Sequence, residues 1–254
     1  MNDPWRLDGR VALVTGGGRG LGRGCAVELA RAGAKVVVAA RTESELEETA
    51  AAAVAAGGQA VTVVADVSDE LQVRRLVEVA SAAGNLGVLV TAAGTNRPGP
   101  ARTYALEDWD LLFGINVRAT FLACRAFGDA VLNLGATGQI VNISSQMGSV
   151  GYPGRVAYCA TKHAVDGMTK ALAVEWARQG IRVNAVAPTF VETPLTKQWL
   201  DDPAFREEVL ERRLPTGKLA QIDDVARAVR YLASEASASV TGEILKVDGG
   251  WTAW

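Results

Sequence analysis

Short apolar runs rich in β-branched residues recur along the chain, each followed by a longer stretch of helical character. The runs are VALVT (11–15), KVVVAA (35–40), AVTVVA (60–65), VLVT (88–91), QIVNIS (139–144), IRVNAVA (181–187) and EILKVD (243–248). Each is almost continuous in apolar residues, the pattern of a strand buried on both faces in a parallel sheet. The intervening segments predict helices over 21–32, 43–56, 69–82, 107–132, 158–178 and 222–233, and the Ala-rich helix stops at Gly57 and Gly58. Such alternation predicts an α/β fold: one doubly wound parallel sheet of Rossmann type with helices on both faces. At 254 residues the chain suits a single domain spanning 1–254. The segment 189–214 breaks the pattern with Pro194, Pro203, Trp199 and Phe205, and is expected to form a small helical lid over the site.

A formal net charge of −2 gives no reason to expect nucleic acid or an anionic membrane as a partner. Cys25, Cys124 and Cys159 are scattered and odd in number, so neither a disulfide framework nor a metal site is expected, and a reducing, cytoplasmic compartment is the simplest reading. The start carries no secretory signal pattern, and no apolar run approaches the roughly 20 residues that span a bilayer.

Gly16, Gly20 and Gly22 lie between the first strand and the first helix. There a tight turn lets backbone approach a pyrophosphate and turns a helix N-terminus toward it. A purely structural turn would also use such glycines. At the end of the second strand, Ala40 stands where a carboxylate would bind the ribose hydroxyls of NAD, and Arg41 follows. A guanidinium there suits the 2′-phosphate of NADP, with Arg19 adding charge nearby, so NADP(H) is expected over NAD(H). The alternative is that Arg41 only opens the second helix at the surface. Asp66 ends the third strand, either to accept from an adenine amino group or as a turn residue, and Ser68 is expected to cap the next helix.

Tyr158 and Lys162 lie four residues apart at the start of a helix, hence on one face, one turn apart. Half-ionising a tyrosine near pH 7 requires about 4 kcal/mol. One ammonium at ~4 Å and an effective dielectric of about 20 supplies energy of that order. The pair therefore makes sense as an acid/base device, although the spacing alone is also common in surface pairs. His163, the only histidine, lies roughly 100° around the helix from Lys162 and is expected to be a bystander, as is Cys159.

TGGGRGLG, ADVS, NISS thirteen residues ahead of YCATK, and the terminal VDGG together resemble the short-chain dehydrogenase/reductase family, from Leu7 to Gly250. The resemblance implies a catalytic tetrad of Asn116, Ser145, Tyr158 and Lys162, with Ser144 the near rival of Ser145. Tyr158 would exchange the proton and Ser145 would hold the substrate oxygen. Lys162 would hold the nicotinamide ribose, and Asn116 would organise a proton-relay water. It implies further cofactor contacts from Leu21, Val67, Ala92, Ala93, Gly94, Pro188, Val191 and Thr193. A homotetramer or dimer is also implied, with the GGWTAW tail at a subunit contact or covering its own sheet edge.

Two departures stand out. TAAG (91–94) replaces the family's NNAG, predicting altered bracing, and Pro188-Thr189 replaces Pro-Gly, predicting a restricted loop. Candidate substrate-pocket residues are Asn96, Arg97, Gln146, Met147, Tyr152, Phe190, Leu195 and Trp199. Arg97 and Gln146 suit a carboxylated or polyhydroxylated substrate, and the chain is similar to the gluconate 5-dehydrogenase branch. The leading expectation is an NADP(H)-dependent enzyme interconverting a ketone and a secondary alcohol. The alternatives are a sugar-acid or polyol dehydrogenase possibly using NAD, a 3-oxoacyl thioester reductase, or a non-catalytic dinucleotide sensor.

Overall fold

In the computed structural model, which describes residues 3–253, seven parallel strands form one sheet in the order β3-β2-β1-β4-β5-β6-β7. They are β1 (Arg10–Thr15), β2 (Lys35–Ala40), β3 (Gln59–Val64), β4 (Asn85–Thr91), β5 (Gly138–Ile143), β6 (Ile181–Pro188) and β7 (Ile244–Val247). The chain winds outward from β1 through β2 to β3, returns to lay β4 against the other side of β1, and winds out again. The doubly wound sheet read from the sequence is therefore the fold. Side chains of the central strands alternate between two cores. On one face Ala12, Val14, Val36 and Val38 pack with α1 (Gly20–Arg31), α2 (Glu43–Ala55) and α9 (Ile222–Ala233). On the other, Val11, Leu13, Val37 and Ala39 pack with α3 (Glu70–Ala82), α5 (Ala119–Asn133) and α6 (Val156–Trp176). Burial on both faces is what makes the runs continuously apolar. The edge strands β3 and β7 differ: neither contains a fully buried residue, and Val64 is exposed.

Several local expectations need correction. Asp69, not Ser68, caps α3, its carboxylate accepting from the Leu71 and Gln72 amides at 2.8 and 3.2 Å. Ser68 instead donates to Asp66 Oδ1 at 2.7 Å. The helix expected over 107–132 is α4 (Leu106–Leu112), a π-helical turn at Phe113–Arg118, and α5 in succession. This 28-residue unit is long and apolar enough to cross a membrane, contrary to the sequence expectation, but half of its apolar window is buried, and α5 packs on β4 and β5 as a core helix. Within 189–214 lie two short helices, α7 (Lys197–Leu200) and α8 (Pro203–Glu207), and a π-turn at Glu208–Arg213. Trp251 is buried against Tyr152 and Phe190, with ring centroids 5.9 and 5.7 Å away, so it packs under this segment and not at a sheet edge. Trp254 lies outside the described residues.

Candidate active site

The strand order reverses between β1 and β4, and the crevice beyond their carboxyl ends is where ligands bind in open α/β sheets. The glycine loop fills one side of it. Gly16 has φ +66°, and a β-carbon there would lie 2.5 Å from the Ala93 amide nitrogen. One on Gly22 would sit 2.1 Å from the Gly16 carbonyl oxygen. Backbone thus meets backbone, and only glycine fits at positions 16 and 22. Two residues outside the sequence reading pin this loop. Arg23 donates to the Gly18 carbonyl at 2.7 Å, and the Thr49 hydroxyl donates to that of Gly17 at 2.9 Å. An arginine on α1 and a threonine on α2 carry no local signal for this role. Leu21 packs in the core behind the loop, and the Thr193 side chain stands 3.6 Å from where a Gly20 β-carbon would be.

At the end of β2, Ala40 is followed by exposed Arg41, which makes no ion pair among the described residues, whereas Arg19 is paired with Glu45 at 3.3 Å. Hydrogen bonds from Ser68 hold the Asp66 carboxyl below its usual range, with the charge of Arg41 adding to the effect. Val67 packs beneath on the core. At the head of β4, Thr91 donates to Asn142 Oδ1 at 2.7 Å, and Asn142 donates to Thr169 at 2.9 Å. A threonine–asparagine pair thus braces the strand ends in TAAG. Gly94 lies near Asn116, whose amide accepts from the Thr95 N–H at 2.9 Å and donates to the Thr95 carbonyl at 3.0 Å. Asn116 also donates to Thr161 at 3.1 Å, and it lies within the π-turn, where a π-bulge displaces the regular carbonyl ladder.

β5 delivers Ser144 and Ser145 in different directions. Ser144 donates to the buried carboxylate of Asp166 on α6. Ser145 donates to Gln146 Oε1 at 2.7 Å and accepts from the Met147 amide at 3.2 Å. Gln146 and Met147 are both buried, the latter among Phe190, Leu200 and Trp251. Tyr158 lies in the first turn of α6, and burial pushes its hydroxyl up to about 12, with Ser145 and the Arg155 charge pulling the other way. Lys162, buried one turn on, donates to the Ile143 carbonyl at 2.8 Å, and its nitrogen is 5.6 Å from the Tyr158 ring centroid. Burial lowers its ammonium to about 8. His163 is exposed and bonded to the Cys159 carbonyl at 2.9 Å, away from buried Lys162, whereas Cys159 packs on the same apolar cluster as Tyr158, around Met147 and Phe190.

Across the crevice, β6 ends at Pro188. Thr189 keeps ordinary backbone geometry, since among the described residues only glycines have a positive φ. Its hydroxyl is buried without a partner, as are Asn96 Oδ1 and Arg155 Nη1. Val191 bridges to Ala220, and Thr193 shares a hydrogen bond with Thr196 at 3.1 Å. Tyr152 and Phe190 meet edge to face at 6.3 Å, and Leu195, two residues before α7, is partly exposed. Trp199 lies over the guanidinium of Arg155 at 4.3 Å. Arg97 is half exposed with Nε 3.9 Å from Asp108, so its charge is already answered at the rim.

A family model described as enoyl-(acyl carrier protein) reductase matches residues 16–252. The D-threitol dehydrogenase of Mycolicibacterium smegmatis is 40% identical over 249 residues, which are 98% of this chain and 95% of that one. Among solved structures, a putative 2-deoxy-D-gluconate 3-dehydrogenase from Agrobacterium tumefaciens with bound NADP superposes with a TM-score of 0.93 at 40% identity, covering 100% of both chains. A gluconate 5-dehydrogenase from Burkholderia cenocepacia in complex with NADP and tartrate gives 0.94 at 38% identity, covering 99% of this chain and 98% of that one. The chain belongs to the short-chain dehydrogenase/reductase family. It is thus an oxidoreductase of a family that acts on alcohols and ketones and uses NAD(P), and its relatives include sugar and polyol dehydrogenases.

Proposed function

We propose that the protein is an NADP(H)-dependent carbonyl reductase and alcohol dehydrogenase with Tyr158 as its acid/base. The reading rests chiefly on one arrangement: Tyr158, Ser145 and Lys162 converge while Ser144 is held away by Asp166. The Gly16–Gly22 cradle fits a pyrophosphate, unpaired Arg41 suits a 2′-phosphate, and Asp66, Ala92, Thr193 and Lys162 would complete the dinucleotide site. NADPH when bound supplies hydride to the carbonyl carbon. Tyr158 gives its hydroxyl proton to the carbonyl oxygen, and Ser145 releases Gln146 to donate to that same oxygen as negative charge develops.

Energetics favour the acid role. With the hydroxyl near 12, half-ionising Tyr158 at pH 7 requires about 7 kcal/mol. Even a single ammonium at ~4 Å supplies only about 4 kcal/mol at an effective dielectric of about 20. At neutral pH Tyr158 is therefore a protonated acid, suited to reduction. In the oxidative direction a positively charged nicotinamide assists the phenolate. Asn116, pinned to both backbone groups of Thr95, would hold the relay that reprotonates the pair.

Exposed Leu106, Leu111 and Phe121 on α4–α5 support assembly into a homotetramer, checked by sedimentation. The buried free thiols of Cys25 and Cys124 suit a cytoplasmic setting. The test of function is loss of reduced-nicotinamide absorbance with NADPH and NADH over a panel of ketones, oxo acids and keto sugars. Turnover that prefers NADPH is expected. Tight NADPH binding with no turnover on any member would establish a dinucleotide sensor instead.

A further inference from the structure

Arg155 is 4% exposed, yet no carboxylate lies within 4 Å of it and no acceptor takes a hydrogen bond from its guanidinium among the described residues. Elsewhere the well-buried charges find partners: Glu28 meets Arg31 and Arg230, Lys162 meets Ile143, Asp166 meets Ser144, and Arg182 donates to three carbonyls. A buried cation without such a partner loses its water for nothing unless something else supplies the anion. Arginine stays protonated even when burial pushes it down, as it does here.

Its setting points to what that is. Arg155 precedes Tyr158 by three residues at the entry to α6, which has no side-chain cap and no acidic residue in its first turn. Trp199 covers one face of the guanidinium, so a partner for its N–H edge must lie in the guanidinium plane. The other two orphaned polar atoms, on Asn96 and Thr189, leave the same carboxyl edge of the sheet from β4 and β6. The Gly99 amide donates to the Gly154 carbonyl at 2.9 Å, tying the Asn96 loop to the Arg155 loop.

We propose that Arg155 is a substrate-binding residue for a carboxylate, and that the enzyme acts on short hydroxy or oxo acids whose carboxylate lies a few bonds from the reacting carbon. Asn96 and Thr189 meet hydroxyls of the same molecule, and Trp199 brings the lid down over the charge pair. This assigns to Arg155 the role that Arg97, paired with Asp108 at the rim, does not fill. It deepens the reading above by naming the substrate class of that site.

The test is equilibrium binding by calorimetry to the protein saturated with NADPH. The probes are tartrate, gluconate, 3-hydroxybutyrate and malate, each beside its neutral carboxamide. At least one acid is expected to bind about tenfold or more tighter than its amide, and Arg155→Gln is expected to erase that ratio while NADPH binds as in the wild type. Arg155→Lys keeps the charge but not the fork and is expected to retain a reduced ratio, which excludes a folding defect. An acid-to-amide ratio near one for every pair in the wild type, or one that survives in Arg155→Gln, overturns the proposal. Acid preference without turnover of any carbonyl would sink the reductase reading alone. Turnover of ketones without acid preference would sink this inference alone.

Discussion

Lys162 reports on its own burial through the pH dependence of stability. Its ammonium is held at about 8, against an ordinary value of 10.5, because the surrounding core strips its water. The folded lysine therefore releases its proton before the unfolded one does. Between those values the unfolded state binds more protons, and stability rises with pH. The gain is complete above 10.5 and is lost as pH falls through 8. With these two values, raising pH from 7 to 9 stabilises the wild type by about 1.3 kcal/mol through this group alone. Lys162→Met removes the titration and leaves the other groups in place, so the quantity to read is the difference between the two proteins. For a chain of this size that difference shifts by roughly 3–5 °C in Tm, in favour of the wild type, between pH 7 and 9. Scanning calorimetry at half-unit pH steps, with far-ultraviolet circular dichroism as a check of the fold, measures it. Parallel curves would show that the ammonium is hydrated and that its contact with the Ile143 carbonyl does not describe its environment.

Arg41→Ala is expected to weaken NADPH by roughly 10- to 100-fold, the worth of a charge-assisted contact, and NADH by less than about threefold. Equal losses in fluorescence titrations would remove Arg41 from the 2′-phosphate site. His163→Asn should leave turnover within a few-fold. A collapse of kcat, with Tm unchanged, would return the histidine to the mechanism.

The strands and helices were legible because the sheet is covered on both sides, so each central strand leaves an uninterrupted apolar run in the sequence. The tight glycine turn and the placing of Tyr158 and Lys162 one turn apart on α6 were legible because local spacing sets both. What escaped depends on tertiary contact. Arg155, in GYPGRVAY, sits in a loop whose sequence carries no sign of burial, and Trp199 stacks on it from more than forty positions away. Arg97, expected at the substrate for its charge, has its Nε 3.9 Å from Asp108 of α4. Arg23 and Thr49 grip the glycine loop through contacts between helices that no periodicity reveals. The capping of α3 turned on which of two adjacent residues, Ser68 or Asp69, already had a competing partner, and Asp66 engages the serine. The π-turn at Phe113–Arg118 likewise has no compositional mark. That the Asp166 carboxylate takes the hydroxyl of Ser144 and leaves that of Ser145 to Gln146 is likewise invisible to counting along the chain.

The central claim is that Tyr158 supplies the proton, and Tyr158→Phe removes only the oxygen that carries it. NADPH-dependent reduction by the variant, measured on the best carbonyl of the panel, should fall by on the order of a thousandfold in kcat, within the range attributed to a positioned acid. NADPH affinity should stay within about twofold of the wild type, since the ring and Lys162 remain. A variant that keeps a tenth or more of the wild-type kcat would contradict the account.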